Sequence, residues 1–219
     1  MKTAVVILAC AALCGQVLAA PKDGTSNHPG TSIENGGFED WGADRVEIPG
    51  EAEVKLGIDG APLSWGVGAK SGGGSVSVMK DTEIKHSGLA SARVEVAETG
   101  GEASLSQQFS VELDTSYLVR IWVRGKDIVS ATGKPGAGIL VWASSGPPNA
   151  FVQNQKSIRK QPAKYSGTFD WQLFEFPVKT SPEGERLNIS LKLQGATGTA
   201  WFDDVEVVKS ETAAPVKSN

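Results

Sequence analysis

The sequence predicts an all-β fold, a two-sheet β-sandwich or jelly roll, and two observations carry this prediction. Short segments in which apolar and polar residues alternate recur along the chain, and turn residues separate them at short intervals. No stretch of the sequence keeps a helical period for long. About eight to ten such strands suit two packed sheets, each with one apolar face toward the core and one polar face toward solvent.

The individual strands are identified by their period of two, which places every second side chain on the same face. The residues expected on the core face are Ala90, Ala92, Val94 and Val96; Leu105, Phe109, Val111 and Leu113; Tyr117, Val119, Ile121 and Val123; Phe174, Phe176 and Val178; and Leu187, Ile189, Leu191 and Leu193. Gln107 interrupts the second series. Residues 139–143 and 201–208 predict further strands, and 54–56 and 76–79 are weaker candidates.

The first 19 residues have the composition of a secretory signal peptide. Lys2 precedes an apolar run at 4–13 that is too short to cross a bilayer, and small residues follow it at 17–19. We expect cleavage after Ala19 and a secreted protein, located in a periplasm or at a cell surface. Both cysteines, Cys10 and Cys14, would leave with this segment, so the mature chain would contain no disulfide.

The remaining chain is expected to form one domain with flexible ends. Residues 20–31 read as a polar, flexible leader, 32–209 as the β-sandwich, and 210–219 as a flexible tail. The net charge at pH 7 is −4, a mild value that argues against nucleic acid as the main partner. No other apolar stretch has the length of a membrane span, and we expect a monomer.

Two acid-bearing segments lie at opposite ends of the predicted domain, at residues 33–41 and 200–207. Each places an aromatic residue beside carboxylates within a strand or at a strand edge. Buried carboxylates are costly unless they are paired, hydrogen-bonded or bound to a metal. We therefore predict that the two segments meet in the fold and share one cation. The alternative is that these acids cap turns or pair with Lys or Arg.

Five features occur in the order seen in family 4/9 carbohydrate-binding modules, which this chain resembles. They are residues 35–39 (Asn-Gly-Gly-Phe-Glu), 86–90 (His-Ser-Gly-Leu-Ala), 117–124 (Tyr-Leu-Val-Arg-Ile-Trp-Val-Arg), Trp171 and 201–205 (Trp-Phe-Asp-Asp-Val). The resemblance covers nearly the whole predicted domain. It implies a galactose-binding-like β-sandwich with a structural calcium ion, and it also implies carbohydrate binding.

The calcium ion that the resemblance implies would take its oxygen ligands from both end segments. Calcium prefers several oxygens, from carboxylates and backbone carbonyls. Glu39 and Asp204 are the first candidates, and Asp203 is a further one, since adjacent residues on a strand point to opposite faces. In the resembling family, carbonyls near the His-Ser-Gly turn contribute, so the matching residues here are Lys85 and Ser87 within 85–88.

A carbohydrate surface is predicted from tryptophans that lie off the core face. By alternation Trp122 and Trp142 point outward, where an indole could stack on a sugar ring while polar neighbours bond its hydroxyl groups. Polar residues on presumed strands that could line the same surface are Arg120, Arg124, Asn188, Ser190, Lys192 and Gln194. The alternative is that the tryptophans pack under loops and the polar side chains are solvated.

The sequence does not predict a catalytic centre. One histidine, His28, lies in the leader and the other, His86, in a turn, and neither a nucleophile–base constellation nor a zinc motif is present. Residues 144–167 carry a local basic excess that could contact an anionic polysaccharide or form a solvated loop. The sequence thus predicts an exported, non-catalytic module that binds a polysaccharide or a surface glycan. The alternatives are an adhesion module for an exported protein and a small polysaccharide lyase or hydrolase.

Overall fold

The computed structural model describes residues 33–42, 54–70, 75–98, 100–130, 137–146, 156–160, 166–183 and 186–210, and the regular elements within them are all strands. The predicted signal peptide, the leader and nearly all of the predicted tail lie outside these residues, as do most of residues 147–165. The strands are β1 (Trp41–Gly42), β2 (Val54–Leu56), β3 (Ala61–Pro62), β4 (Gly66–Lys70), β5 (Val76–Asp81), β6 (Ser91–Val96), β7 (Glu102–Ser110), β8 (Ser116–Ser130), β9 (Gly138–Gly146), β10 (Lys156–Lys160), β11 (Gly167–Lys179), β12 (Arg186–Gln194) and β13 (Ala196–Lys209).

Two large sheets pack face to face, which confirms the predicted β-sandwich. The five-stranded sheet has the order β10-β9-β12-β7-β4, and the six-stranded sheet has the order β11-β8-β13-β6-β5-β2. All pairs are antiparallel except β2 with β5, and β1 pairs with β3 in a small separate ladder. The last strand, β13, lies between β6 and β8 in the middle of its sheet. Within the described residues, no helix is long and apolar enough to span a membrane.

The core lies between the two sheets and is built by the alternation read from the sequence. Leu187, Ile189, Leu191 and Leu193 of β12 are fully buried, and the inward residues of β6 and β8 are buried with them. The weaker strand candidates at 54–56 and 76–79 form β2 and the start of β5. Leu113 differs from its prediction, because β7 ends at Ser110 and leaves the side chain of Leu113 46% exposed.

Gln107, which interrupts the apolar pattern of β7, holds the first segment of the domain in place. Its side chain is 6% exposed. Its amide oxygen accepts a hydrogen bond from the Glu34 N–H at 2.8 Å, and its amide nitrogen donates to the Glu34 carbonyl, also at 2.8 Å. A buried polar side chain is tolerated when its donors and acceptors are satisfied. The interruption is therefore a docking point for residues near the start of the fold.

The two acid-bearing end segments meet, as the sequence predicts. The Val205 N–H of β13 donates to the Gly36 carbonyl at 2.9 Å, and Ile33 and Phe38 are buried in the common core. A Cβ at Gly36 would lie 2.2 Å from the Val205 carbonyl oxygen, so this close approach requires glycine. Trp65 packs its ring 5.0 Å from Phe38, which closes this end of the sandwich without a disulfide.

Candidate functional site

A loop that connects β5 to β6, residues 82–90, lies over the outer face of the six-stranded sheet and covers Asp203. This carboxylate is fully buried. One of its oxygens, Oδ2, accepts hydrogen bonds from the His86 N–H at 2.8 Å and the Ser87 N–H at 3.2 Å, and Oδ1 accepts from the Asp204 N–H at 2.8 Å. Burial, followed by repulsion from Asp204, raises the pKa of Asp203 to about 7, although the three N–H groups oppose this shift.

Glu39, from the first acid-bearing segment, holds the other end of the same loop. The Leu89 N–H donates to both of its carboxylate oxygens at 2.9 Å. Gly88 has a left-handed φ of 59°, and a Cβ at this position would lie 1.7 Å from Glu39 Oε1. The His86 and Ser87 N–H groups therefore bind Asp203, and the Leu89 N–H that follows the His-Ser-Gly motif binds Glu39.

Asp204, the other predicted cation ligand of the last strand, makes different contacts from Asp203. It sits at an irregularity of the pairing between β13 and β8, with φ of 47°. Its Oδ2 lies 2.6 Å from His86 Nδ1, and its Oδ1 accepts a hydrogen bond from Ser87 Oγ at 2.8 Å. Asp204 thus fixes two side chains of the loop. The side chain of Lys85 is fixed within the loop instead, since its ammonium donates to the Thr82 carbonyl at 2.7 Å.

The donor set around the loop suits calcium better than a transition metal. Within the described ranges, no group of three or more His, Cys, Asp and Glu side chains is arranged to hold a metal ion. Two carboxylates, Asp203 and Glu39, accept hydrogen bonds from backbone N–H groups of the same short loop. Calcium accepts carboxylate oxygens as ligands and completes its shell with water. A cation would also offset the cost of the buried Asp203 charge.

The loop also fixes Trp122, which projects outward from β8. The imidazole of His86 stacks on the indole of Trp122 with ring centroids 3.8 Å apart and planes 15° apart. Trp171 meets the same imidazole edge-on at 5.8 Å. One face of Trp122 is therefore covered by protein before any ligand arrives.

Beside Trp122 lies a depression of about 370 Å³, which we call the cleft. It is lined by Ser87, Arg120, Trp122, Leu173, Asp204 and Glu206. The guanidinium of Arg120 is already engaged, with Nε 3.3 Å from Glu175 Oε2 and Nη1 3.8 Å from Glu206 Oε2. Arg124 lies one row further along β8, over the ring of Trp201 at 5.9 Å and 3.6 Å from Asp170.

On the outer face of the five-stranded sheet lies a second surface, along which the side chains become smaller from β9 to β4. Trp142 of β9 is paired with Ser190 of β12, Ser190 with Ser106 of β7, and Ser106 with Gly66 of β4. Side chains therefore shrink from an indole to hydroxymethyl groups to a hydrogen atom along one cross-strand row. The next row runs from Leu140 of β9, which is fully buried, through Lys192 and Ser104 to Gly68. We call this surface the trough, formed by Trp142, Ser190, Ser106, Gly66, Lys192, Ser104 and Gly68.

The polar groups of the trough converge beside Trp142. The Lys192 ammonium lies 5.7 Å from the centre of the Trp142 ring and 2.5 Å from Glu102 Oε1. This ion pair balances the charge of Lys192 and fixes its side chain. Asn188 and Gln194 lie on the same strand and the same face as Lys192, and all three are partly exposed.

The predicted ligand-binding residues are therefore divided between two opposite outer faces. Trp122, Arg120 and Arg124 belong to the six-stranded sheet, whereas Trp142, Asn188, Lys192 and Gln194 belong to the five-stranded sheet. They do not line one surface, because alternation tells which residues avoid the core but not which sheet a strand joins. Sequence reasoning also did not assign Leu173 or Glu206, which reach the cleft through their pairing with β8.

Comparisons with known proteins identify the fold. No family model and no curated protein matches the sequence. The enzymatically active domain of tailspike protein 4 from bacteriophage CBA120 matches with a TM-score of 0.58 and 12% identity, over 82% of this chain and 21% of that chain. This chain thus spans about a fifth of that protein.

Carbohydrate-binding modules of several families are among the other matches. A family 61 module in complex with β-1,4-galactotriose matches with a TM-score of 0.50 and 17% identity, over 82% of this chain and 99% of that one. A family 4 module matches with a TM-score of 0.49 and 19% identity, over 82% of this chain and all of the module, 100%. At these identities the likeness shows the fold alone. The chain has a β-sandwich fold that it shares with the family 61 carbohydrate-binding module, and membership of family 4/9 stays a prediction.

Proposed function

We propose that this chain is an exported, non-catalytic carbohydrate-binding module and that the trough holds its glycan. The observation that carries the proposal is the cross-strand row from Trp142 through Ser190 and Ser106 to Gly66. The indole of Trp142 can take the apolar face of a sugar ring, and the partly exposed hydroxyls of Ser106 and Ser104 can bond its hydroxyls, whereas Ser190 is only 8% exposed. Lys192 is neutralised by Glu102, which favours a neutral polysaccharide over an acidic one.

The trough is preferred to the cleft as the main site because of its length. It spans four strands, β9, β12, β7 and β4, which lie about 4.8 Å apart in a sheet, so it offers length as well as depth to a polymer.

The geometry around His86 supports binding without catalysis. In a serine nucleophile site the hydroxyl contacts the histidine that removes its proton. Here the Ser87 hydroxyl donates to Asp204, and the His86 imidazole contacts the same carboxylate. Glu39 accepts hydrogen bonds from the Leu89 N–H in the loop over the six-stranded sheet, whereas the trough lies on the other sheet, which favours a structural role for Glu39 over that of a glycosidase carboxylate.

Glycan binding is tested by calorimetry with soluble xylan, β-1,4-galactan and mixed-linkage β-glucan. We expect the wild-type chain to bind at least one of the three and Trp142→Ala to weaken that binding by about tenfold or more, as loss of a stacking partner implies. Trp142→Phe, which keeps an aromatic face, should retain part of the affinity. The proposal is contradicted if the wild-type chain binds none of the three polymers. It is also contradicted if Trp142→Ala leaves the binding unchanged. Release of reducing ends or unsaturated sugars would instead favour the lyase or hydrolase.

We further propose that a calcium ion binds between Asp203 and Glu39 and stabilises the fold. The support is the full burial of the Asp203 carboxylate under a short loop that also binds Glu39, because a cation there would offset the cost of burying this charge. A chelator should lower the melting temperature, and added calcium should restore it. Asp203→Asn should remove this response, whereas Asp204→Asn should preserve most of it. If the chelator has no effect on melting, the site does not exist.

A further inference from the structure

The cleft faces away from the trough, and nothing in the trough's function uses it. The cleft lies on the outer face of the six-stranded sheet and the trough on the outer face of the five-stranded sheet, with the core between them. We propose that the cleft is a second glycan-binding site, so that one molecule holds two glycan segments on opposite faces. The inference rests on the proposed carbohydrate-binding function.

The lining of the cleft has the mixed chemistry that a sugar requires. Trp122 and Leu173 supply an apolar wall, and the Leu173 side chain is 43% exposed. Ser87, Asp204 and Glu206 supply oxygens that can accept hydrogen bonds from hydroxyl groups. A volume of about 370 Å³ lies within the range of small-molecule sites, roughly 300–1,000 Å³, and is large enough for a sugar residue.

The cleft is held in shape before any ligand binds. The His86 imidazole fixes the plane of Trp122 by stacking, while its backbone N–H donates to the buried Asp203. The Ser87 hydroxyl donates to Asp204, which also contacts His86 Nδ1. Side chains that are ordered in advance lose little conformational entropy on binding, which favours affinity even for a small contact area.

The charges of the cleft select against acidic sugars. Its one lining cation, Arg120, lies between Glu175 and Glu206, and Asp204 adds a further carboxylate. A uronate or sulfate group would have to displace a carboxylate from Arg120 and would meet two others. We therefore assign a neutral glycan to the cleft, the same chemical class as in the trough.

Two sites on opposite faces cannot be reached by one short oligosaccharide. The packed sheets are themselves about 10 Å apart, and an oligosaccharide would have to pass around the sheet edge to touch both outer faces. Each face would bind its own segment, so the module could bridge two polysaccharide chains. Avidity would then exceed the affinity of either site for polymers that present many segments.

The test uses calorimetry with xylan, β-1,4-galactan and β-glucan hexasaccharides, followed by light scattering with the parent polymers. The wild-type chain should bind two hexasaccharides, and Leu173→Gln and Trp142→Ala should each reduce the stoichiometry to one. The polymer should be cross-linked by the wild-type chain and only bound by either variant. Trp122→Ala should behave like Leu173→Gln, but it also removes the stack on His86, so the exposed Leu173 provides the cleaner variant.

The outcomes separate the two proposals. If the wild-type chain binds one hexasaccharide, and Trp142→Ala abolishes this binding while Leu173→Gln leaves it unchanged, the second site is overturned and the trough is retained. If the wild-type chain binds one hexasaccharide and Leu173→Gln abolishes this binding, the trough and the bridging role are both overturned. Absence of binding to every hexasaccharide and polymer overturns the carbohydrate function itself. Circular dichroism of each variant shows whether a loss of binding comes from a loss of fold.

Discussion

At the residue scale, Gly88 cannot be replaced by a residue with a side chain without disturbing the loop that contacts both end segments. Its left-handed φ of 59° would already strain any other residue, and a Cβ would lie 1.7 Å from Glu39 Oε1. We expect Gly88→Ala to displace Glu39, to destabilise the fold and to weaken the calcium response that we propose. Gly167 offers a matched control, because it has a φ of 72° with no described atom within 4 Å of its Cβ position.

The comparison isolates the clash from the backbone strain. Gly167→Ala should lower the free energy of unfolding by about 1–2 kcal/mol, the cost of a left-handed conformation for an L-residue. Gly88→Ala should lower it clearly further in urea denaturation. Equal losses for the two variants would mean that Glu39 moves aside at no cost and that its contact with the Leu89 N–H contributes little.

Asp81 gives the fold a defined dependence on pH. Burial acts to raise its pKa, but hydrogen bonds from the Ile84 N–H, Trp201 Nε1 and the Glu83 N–H, together with Arg93, outweigh burial and lower it below 3.8. Because the folded value lies below the unfolded one, this carboxylate stabilises the fold above the unfolded pKa. That contribution is lost as pH falls through the lowered pKa.

The variant Asp81→Asn tests this dependence. An amide keeps one acceptor oxygen, so it cannot serve both Trp201 Nε1 on Oδ2 and the two N–H groups on Oδ1. We expect a loss of about 1–3 kcal/mol at pH 7 that shrinks as pH falls below 4, measured by urea denaturation at each pH. Asp59→Asn on an exposed turn controls for the change in net charge, and a loss independent of pH would contradict the assignment.

At the element scale, alternation predicted the strands well and their irregularities poorly. The four leucine and isoleucine positions of β12 are buried as expected, because a half-buried strand exposes every second residue. The same rule places Asp203 and Asp204 on opposite faces, and it gave no sign of the irregular pairing and positive φ at Asp204. Gln107 read as a break in a strand, and only the structure shows its partner, the Glu34 backbone.

The β4 strand sets the depth of the trough, because Gly66 and Gly68 contribute no side chain to its floor. A Cβ at Gly66 would lie 3.4 Å from Ser106 Oγ, so a larger residue fits and rises above the floor. We expect Gly66→Leu to weaken polysaccharide binding by tenfold or more while leaving the unfolding free energy unchanged or slightly higher, since glycine weakens a strand. Calorimetry and urea denaturation measure the two effects.

A leucine on the other sheet serves as the control for Gly66→Leu. Ser77 of β5 lies on the outer face of the six-stranded sheet, opposite Glu95 of β6. Ser77→Leu adds apolar bulk to an outer face without touching the trough, so binding should be unaffected. Weakened binding in both variants would indicate a general effect of surface leucines and would remove support for the trough.

At the scale of the whole molecule, the sequence could predict that the ends meet but not how the faces are shared. The end segments were recognisable because carboxylates beside aromatics recur at both ends of the domain. The assignment of Trp122 and Trp142 to different sheets depends on strand order, in which β13 joins β8 and β12 joins β9 across long stretches of sequence. Such long-range pairing leaves no local signal in the sequence.

The same long-range pairing predicts that the described fold unfolds in one cooperative step that includes its first segment. Phe38 is fully buried and packs against Trp65, whose indole N–H donates to the Asn35 carbonyl at 3.1 Å. Phe38→Ala should cost about 3–5 kcal/mol and shift the urea midpoint with little change in slope. Tryptophan fluorescence, to which Trp65 contributes, and far-UV circular dichroism should give coincident transitions in both proteins. A different result would be a fluorescence transition at lower urea than the circular dichroism transition, together with a circular dichroism midpoint that Phe38→Ala leaves unchanged. It would show that residues 33–42 detach on their own and that the remaining strands hold the sandwich together without them.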